Sequence, residues 1–234
     1  MLSELDGILN ERRSIRAYTP EPVDRTTVES ICQAARRAPS GANLQPGKFH
    51  VLTGAPLADL KALLAQKHEA KTAPAEEYSY FPNPMDAALK DRQRKAGYAL
   101  YASQGISRRD VARRREQFAQ NYQFFGAPVG VVVTIDRDMG KGCFMDLGMA
   151  IMAFLLSAED KKLGASGIGA LANFAPDVHA FLKLPADEMV VCGIALGHPD
   201  RDATINQFRT QRQDLQDYTS FAGFAPDAPP KGSA

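Results

Sequence analysis

Apolar residues along this chain recur with two periods, and stretches of one period alternate with stretches of the other. Val28, Ile31, Cys32 and Ala35 fall on one side of a helix that Asp24 can cap and Pro39 stops. Phe49 to Thr53 reads as a strand, and Leu57, Leu60, Leu63 and Leu64 mark a second helical face. Between Thr72 and Met85 the periodicity fails: Pro74, Pro82 and Pro84 stand among several aromatic residues, which predicts an ordered but irregular surface loop. Val111, Phe118, Tyr122 and Phe125 then line one side of a predicted helix whose other side carries Arg108, Arg109 and Arg113 to Arg115.

Val129 to Ile135 is a continuous run dominated by β-branched residues, as in a strand covered on both faces. A helix is predicted from about Cys143 to Leu163, with Gly148, Ala150 and Ala153 forming a flat side suited to packing a second helix, including one from another copy. Its apolar run, Leu147 to Leu156, is about half the roughly 20 residues a membrane span needs, so a buried helix is expected. A short segment at Ala165 to Ile168, a helix after Pro176 and a strand at Met189 to Leu196 bring the total to four strands and at least five helices. Taken alone, this alternation suggests a doubly wound parallel sheet. Neither repeats nor a linker interrupt it, so residues 1–234 are read as one domain with residues 72–125 as a lid-like insert.

Composition narrows the class. With 234 residues, 44% of them hydrophobic and 24% charged, the chain can bury a sizeable core and is not of disordered type. A formal net charge of +1 argues against binding polyanions by bulk electrostatics. Between Lys90 and Glu116, however, nine Lys or Arg residues face three acids, which predicts a local basic surface. Clustered arginines can neutralise nucleic-acid phosphates, but no groove-reading motif accompanies them, and a solvated helix face is the expectation. Cys32, Cys143 and Cys192 lie far apart among apolar neighbours and read as buried structural thiols. The opening Ser3, Glu4 and Asp6 do not form a signal peptide, so a cytoplasmic location is expected, with neither membrane nor nucleic acid as partner. The four histidines lack metal-site spacing, and neither a Gly-x-Ser-x-Gly elbow nor a P-loop is present.

Four segments carry candidate chemistry. Arg12, Arg13, Ser14 and Arg16 offer three guanidinium forks and a hydroxyl within five residues, a donor set that matches phosphate oxygens or, alternatively, a solvated turn. Pro39, Ser40, Gly41, Ala42, Asn43, Leu44 and Gln45 set short hydrogen-bonding side chains between turn formers, which suits a flat ring rich in heteroatoms and equally a helix stop. Gly167-x-Gly169-x-x-Ala172 satisfies the loose dinucleotide fingerprint but lacks a good preceding strand. Arg209 and Arg212 stand in an otherwise polar tail.

The first two segments, with the order of elements around them, resemble the FMN-dependent nitroreductase family over about residues 5 to 222. The resemblance implies an α+β fold, a three-layer α/β/α sandwich with a mixed, largely antiparallel central sheet. It further implies an intertwined homodimer with FMN at the subunit interface and residues 200–234 as an extension that embraces the partner. On this basis Arg12 and Ser14 face the FMN phosphate and ribityl chain, with Arg13 adding contacts. Arg16 approaches the pyrimidine edge of the flavin, where positive charge stabilises the reduced ring. Pro39, Ser40 and Asn43 contact the ring with Gln45 close by; Ile168, Gly169 and Ala170 pass beside it with main-chain groups; and Arg212, with Arg209, returns to the phosphate. Two departures stand out, Gly47 where many members carry tryptophan and Ile168 where many carry glutamine. The implied activity is a ping-pong transfer of hydride from NADH or NADPH, through FMN, to nitroaromatics, quinones or similar planar electrophiles. No obligatory catalytic side chain is named, and Tyr78, Tyr80, Phe81, Tyr122, Phe124 and Phe125 are read as pocket walls or core. Dehalogenation, enone reduction, flavin destruction and non-catalytic flavin binding are the alternatives.

Overall fold

The computed structural model describes residues 3–75 and 77–224. In chain order its regular elements are α1 (Glu4–Glu11), α2 (Arg25–Ala35), β1 (Lys48–Thr53), α3 (Gly54–Glu69), α4 (Ala87–Ser103), α5 (Val111–Ala119), β2 (Val129–Asp136), α6 (Lys141–Asp160), β3 (Gly164–Ile168), α7 (Ala175–Leu182), β4 (Glu188–Gly197), α8 (Thr204–Gln207) and α9 (Leu215–Tyr218). The strands pair in the order β1-β2-β4-β3. Among the described residues every ladder is antiparallel, and the one parallel contact is an isolated bridge between Ser14 and Ala165. The parallel sheet suggested by alternation is therefore overturned, because periodicity records which positions are buried and carries no strand direction.

Side-chain alternation along β2 explains the layers. Val129, Val131, Val133 and Ile135 face a cluster with Val28 and Ile31 of α2 and Leu147, Phe154 and Ala158 of α6. Val132 faces the other way, into a cluster with Leu57, Leu60 and Leu64 of α3, Tyr122, Phe124 and Val178. The result is a three-layer α+β sandwich. On β4 the pairing slips between Val133 and Thr134, so that Val190 opposes Thr134 while Cys192 opposes Val133. Val191 is the extra residue, and it and Cys192 both turn toward the α2/α6 layer, as at a β-bulge.

Four local expectations need correction. The helix expected to run through Phe125 stops at Ala119; a 3-10 turn over Gln120–Gly126 follows, with Phe124 and Phe125 at positive φ. Tyr122, Phe124 and Phe125 are accordingly core residues and not pocket walls. Residues 87–103, for which no element was predicted, form the 17-residue α4. Asp24 occupies the N-cap of α2 without a side-chain capping bond. The cysteines are half-buried and free, not buried, although burial pushes the thiols of Cys32 and Cys192 upward, that of Cys192 to about 12.

The apolar helix also differs from expectation. α6 is 20 residues long and, by length and composition alone, apolar enough to cross a membrane. One of its sides packs on α2 and the sheet, burying Leu147, Phe154 and Ala158. Its opposite side, with Met145 70% exposed, Met149 and Gly148, is uncovered in the single chain. No helix or strand falls within the described part of 72–85, as expected. The tail beyond Phe224, including Pro229 and Pro230, lies outside the described residues.

Candidate functional site

Arg12 closes α1 as its C-cap, after which the chain runs extended beside β3, where Ser14 bridges Ala165 and the Ile15 N–H donates to the Ala165 carbonyl at 3.2 Å. Extended backbone sends successive side chains to opposite sides. Ile15 is buried, while its neighbours Ser14 and Arg16 line a concavity of about 410 Å³.

The carboxy-terminal segment completes that concavity. Asn206 is 1% exposed and clamps the two chain ends together. Its Oδ1 accepts from the Arg16 N–H at 2.8 Å, and its Nδ2 donates to the carbonyls of Ala17 at 2.8 Å and Asp200 at 2.7 Å. The Asn206 carbonyl accepts from Arg13 Nε at 2.6 Å. An amide with a donor and an acceptor can satisfy such a junction in full, which a buried polar group requires. Beyond it, Arg209 donates to the carbonyls of Asn10 and Glu11 at the end of α1, a helix with no basic residue in its own last turn. Arg212 is exposed and, among the described residues, bonds to Thr210 and Gln211.

Leu9, Asn10, Arg12, Arg13, Ser14, Arg16, Met152, Phe208, Arg209, Thr210 and Arg212 therefore surround one space with five guanidiniums and no carboxylate. Arg12 Nε is buried without a hydrogen-bond partner among the described residues. Desolvation holds the Arg16 guanidinium below its ordinary range, only partly offset by Tyr18, and its centre lies 6.0 Å from the Phe125 ring. An orphaned buried donor and a lining of five guanidiniums fit a phosphate dianion. The adjoining cavity of about 430 Å³ differs in kind, since Glu11, Glu159 and Asp200 balance Arg13, Lys162 and Arg201.

The other predicted residues lie elsewhere in the single chain. Pro39, Ser40, Asn43 and Gln45 belong to a tight turn in which Ala42, Asn43 and Gln45 all have positive φ. Ser40 Oγ accepts from the Gln45 N–H at 2.9 Å, and Asp146 of α6 accepts from the Gly41 N–H at 3.0 Å. Gly47 has φ +90°, and a Cβ there would come within 2.5 Å of Leu147 Cδ1 and 3.1 Å of the Thr134 carbonyl. A tryptophan at this position is excluded by backbone and space together. Ile168 is a core side chain, which explains an apolar residue there and leaves only main-chain groups to face outward. Gly169 lies against Tyr80, whose ring would be 3.1 Å from a Cβ. Tyr80 and Phe81 are exposed and pack edge to face.

Sequence reasoning missed Asn206 and Phe208, which lie among the predicted arginines but carry no motif of their own. The basic insert is also less free than its charge suggests: Arg108 lies 4.2 Å from the Tyr98 ring centre and Arg114 lies 5.1 Å from that of Tyr101.

Comparison with known proteins bears on this arrangement. The Nitroreductase family model matches residues 9–198. A 4-nitrobenzoate reductase of Pseudomonas putida is 34% identical over 96% of this chain and 98% of its own. A chloronitrobenzene nitroreductase of Comamonas testosteroni is 31% identical over 93% and 96%. Among solved structures, the FMN and NADPH-dependent nitroreductase NfnB of Sphigopyxis sp. strain HMH superposes with a TM-score of 0.91 at 35% identity, covering 95% of this chain and all of that one.

Proposed function

The chain belongs to the nitroreductase family, and from that premise we propose that it is a homodimeric FMN-dependent oxidoreductase that uses NADPH or NADH to reduce nitroaromatic compounds, with quinones and similar planar electrophiles as further acceptors. One observation carries the reading: a carboxylate-free concavity lined by five arginines, joined from the first and last portions of the chain, with a buried unpaired Arg12 Nε.

Arg12, Arg13, Ser14, Arg209 and Arg212 would hold the FMN phosphate and ribityl chain, and Arg16 would stand at the pyrimidine edge. When bound, FMN would supply the two-electron chemistry of a ping-pong cycle between the nicotinamide and the acceptor. The protein's part is to fix the phosphate, to place a partly desolvated cation beside the ring and to leave one ring face open for stacking. No side chain is needed as nucleophile.

Homodimerisation is supported by the uncovered apolar side of α6 and by Leu215, Tyr218, Phe221 and Phe224, which are all exposed near the end of the described chain. A second copy covering α6 would bring its Pro39, Ser40, Asn43 and Gln45 turn, tethered to Asp146, toward the pocket that Met152 lines on the same helix. On this reading FMN would lie between two protomers, with the 72–125 segment as a lid. A soluble cytoplasmic protein with no membrane or nucleic-acid partner is the matching location.

The test is spectroscopic. The purified protein should be yellow at dimer size, bleach on anaerobic addition of NADPH or NADH and regain colour with 4-nitrobenzoate. Arg12→Ala should weaken FMN binding about tenfold or more, the loss expected for a charged hydrogen bond. Colourless protein that does not take up added FMN overturns the reading; product analysis separates nitro reduction from dehalogenation, enone reduction and flavin destruction.

A further inference from the structure

The segment after Thr72 has no periodic pattern, yet its Glu77 and Tyr78 are fastened to the sheet at the bulge on β4. The Val190 N–H donates to Glu77 Oε2 at 3.3 Å, and the Tyr78 hydroxyl donates to the Val191 carbonyl at 2.7 Å. Glu77 Oε1 accepts from Arg137 Nη2 at 2.8 Å. Arg137 follows directly after β2 and is itself held, its Nε donating to Ala186 and its backbone N–H to Asp187, both at 2.8 Å. Glu77 thus joins the end of β2, the start of β4 and the loop through one carboxylate with little exposure.

The chain immediately beyond this clip carries the exposed rings. Tyr78 packs 6.3 Å from Tyr80 and 5.8 Å from Phe144 of α6, and Tyr80 packs 4.8 Å from Phe81. Tyr80 rests on Gly169, the turn assigned above to the side of the flavin, yet is 58% exposed. Tyr80 is two positions beyond Tyr78 and three beyond Glu77. Its ring therefore moves if the clip opens.

We propose that Arg137 and Glu77 are positioning residues for the acceptor site: by clipping the loop to the β4 bulge they set where Tyr80 stands over Gly169, and so the width of the slot into which a planar acceptor slides. This rests on the reading of residues 168–170 as flavin neighbours. Neither residue touches substrate. A loop that leaves its clipped position for most of the time binds acceptor weakly in proportion to the fraction lost, while the chemistry in the fraction that remains is unaltered.

The experiment compares Arg137→Ala and Glu77→Gln in the parent and in a Tyr80→Ala background. In the parent, each should raise KM for 4-nitrobenzoate about tenfold, the equivalent of one charge-assisted hydrogen bond, with kcat changed by less than about twofold. In the Tyr80→Ala background neither should raise KM further, because there is no ring left to misplace. An unchanged KM in the parent overturns the proposal, as does an increase that persists without the Tyr80 ring, which would mean a general structural effect. Hydrogen exchange on FMN-loaded protein reads the clip without turnover: the Val190 amide should exchange about tenfold faster in Arg137→Ala, and equal exchange overturns the proposal. Failure of the parent to be bleached by NADPH or NADH would instead strike the proposed function and would be seen before any variant is made.

Discussion

Gly164 opens β3 against Ile15, the buried residue between Ser14 and Arg16, and one added methyl group there has a definite cost. A Cβ at Gly164 would lie 2.6 Å from Ile15 Cγ1, 2.8 Å from its Cβ and 2.9 Å from its Cγ2. Comfortable carbon contacts lie at roughly 3.5–4.0 Å, so the overlap is about 1 Å at three atoms at once. Ile15 cannot rotate away. It is 4% exposed and branched at Cβ, and one of the three atoms is that Cβ itself, fixed to the backbone. The strain must therefore move the extended chain that places Ser14 and Arg16, which is tied to β3 by the Ile15–Ala165 hydrogen bond and to the chain end by Asn206. Overpacking of this kind costs about 1–3 kcal/mol, or roughly 2–12 °C in melting temperature for a chain of this size. Part of that cost falls on the phosphate site, so FMN affinity should drop by about tenfold as well.

The assay is thermal unfolding of apo-protein together with FMN titration by fluorescence quenching, with Gly97→Ala on α4 as the control. Nothing lies within 4 Å of a Cβ at Gly97, and there the same change should be neutral or stabilising by up to about 1 kcal/mol. If Gly164→Ala melts with the parent and binds FMN equally well, the link between β3 packing and the phosphate cradle is refuted.

Three further outcomes follow from the site and its frame. Arg16→Gln removes the cation proposed at the pyrimidine edge and should lower the two-electron potential of bound FMN by about 30–60 mV, equivalent to roughly 1.4–2.8 kcal/mol, with a smaller change in affinity; an equal potential in a redox titration would contradict that placement. Burial of Glu188 works to raise its carboxyl, but hydrogen bonds from Lys48, Thr134 and His50 outweigh it and hold the group below its usual value of 4.5. Its stabilising contribution is then fully present above that pH and disappears as pH falls through the depressed folded value, so melting temperature should fall more steeply in the parent than in Glu188→Gln between about pH 5 and 3, and parallel curves would exclude this role. Met145→Glu sets a charge on the uncovered side of α6 and should shift gel filtration from dimer to monomer; an unchanged elution volume would remove α6 from the interface.

Much of the layer structure was legible in sequence, because β2 wears its burial openly, whereas the apolar run of α6 overstates it, one side of that helix being uncovered in the single chain. Val129 to Ile135 and the run from Leu147 are apolar on more than one side, and each became an element packed on the core. The break at Ala119 was not legible: Phe118, Tyr122 and Phe125 keep helical spacing, and only packing of Phe124 and Phe125 under β2 shows that their backbone has left the helix. The clip at Glu77 was equally hidden, since it depends on a bulge that has no sequence signature in Val190 and Val191.

The chain's one-dimensional order determined where the strongly buried strands run, which segments hold clustered guanidiniums and that Arg12, Arg13, Ser14 and Arg16 carry donors that suit a phosphate. Tertiary structure alone decided that every ladder is antiparallel, that Arg209 caps the helix preceding Arg12, and that Asn206 locks the two ends into one cradle. The physical reason is range: periodicity and donor clustering are set by neighbours within a few residues, whereas strand direction and a pocket built from both ends are settled only when distant segments compete for the same hydrogen bonds and the same buried space.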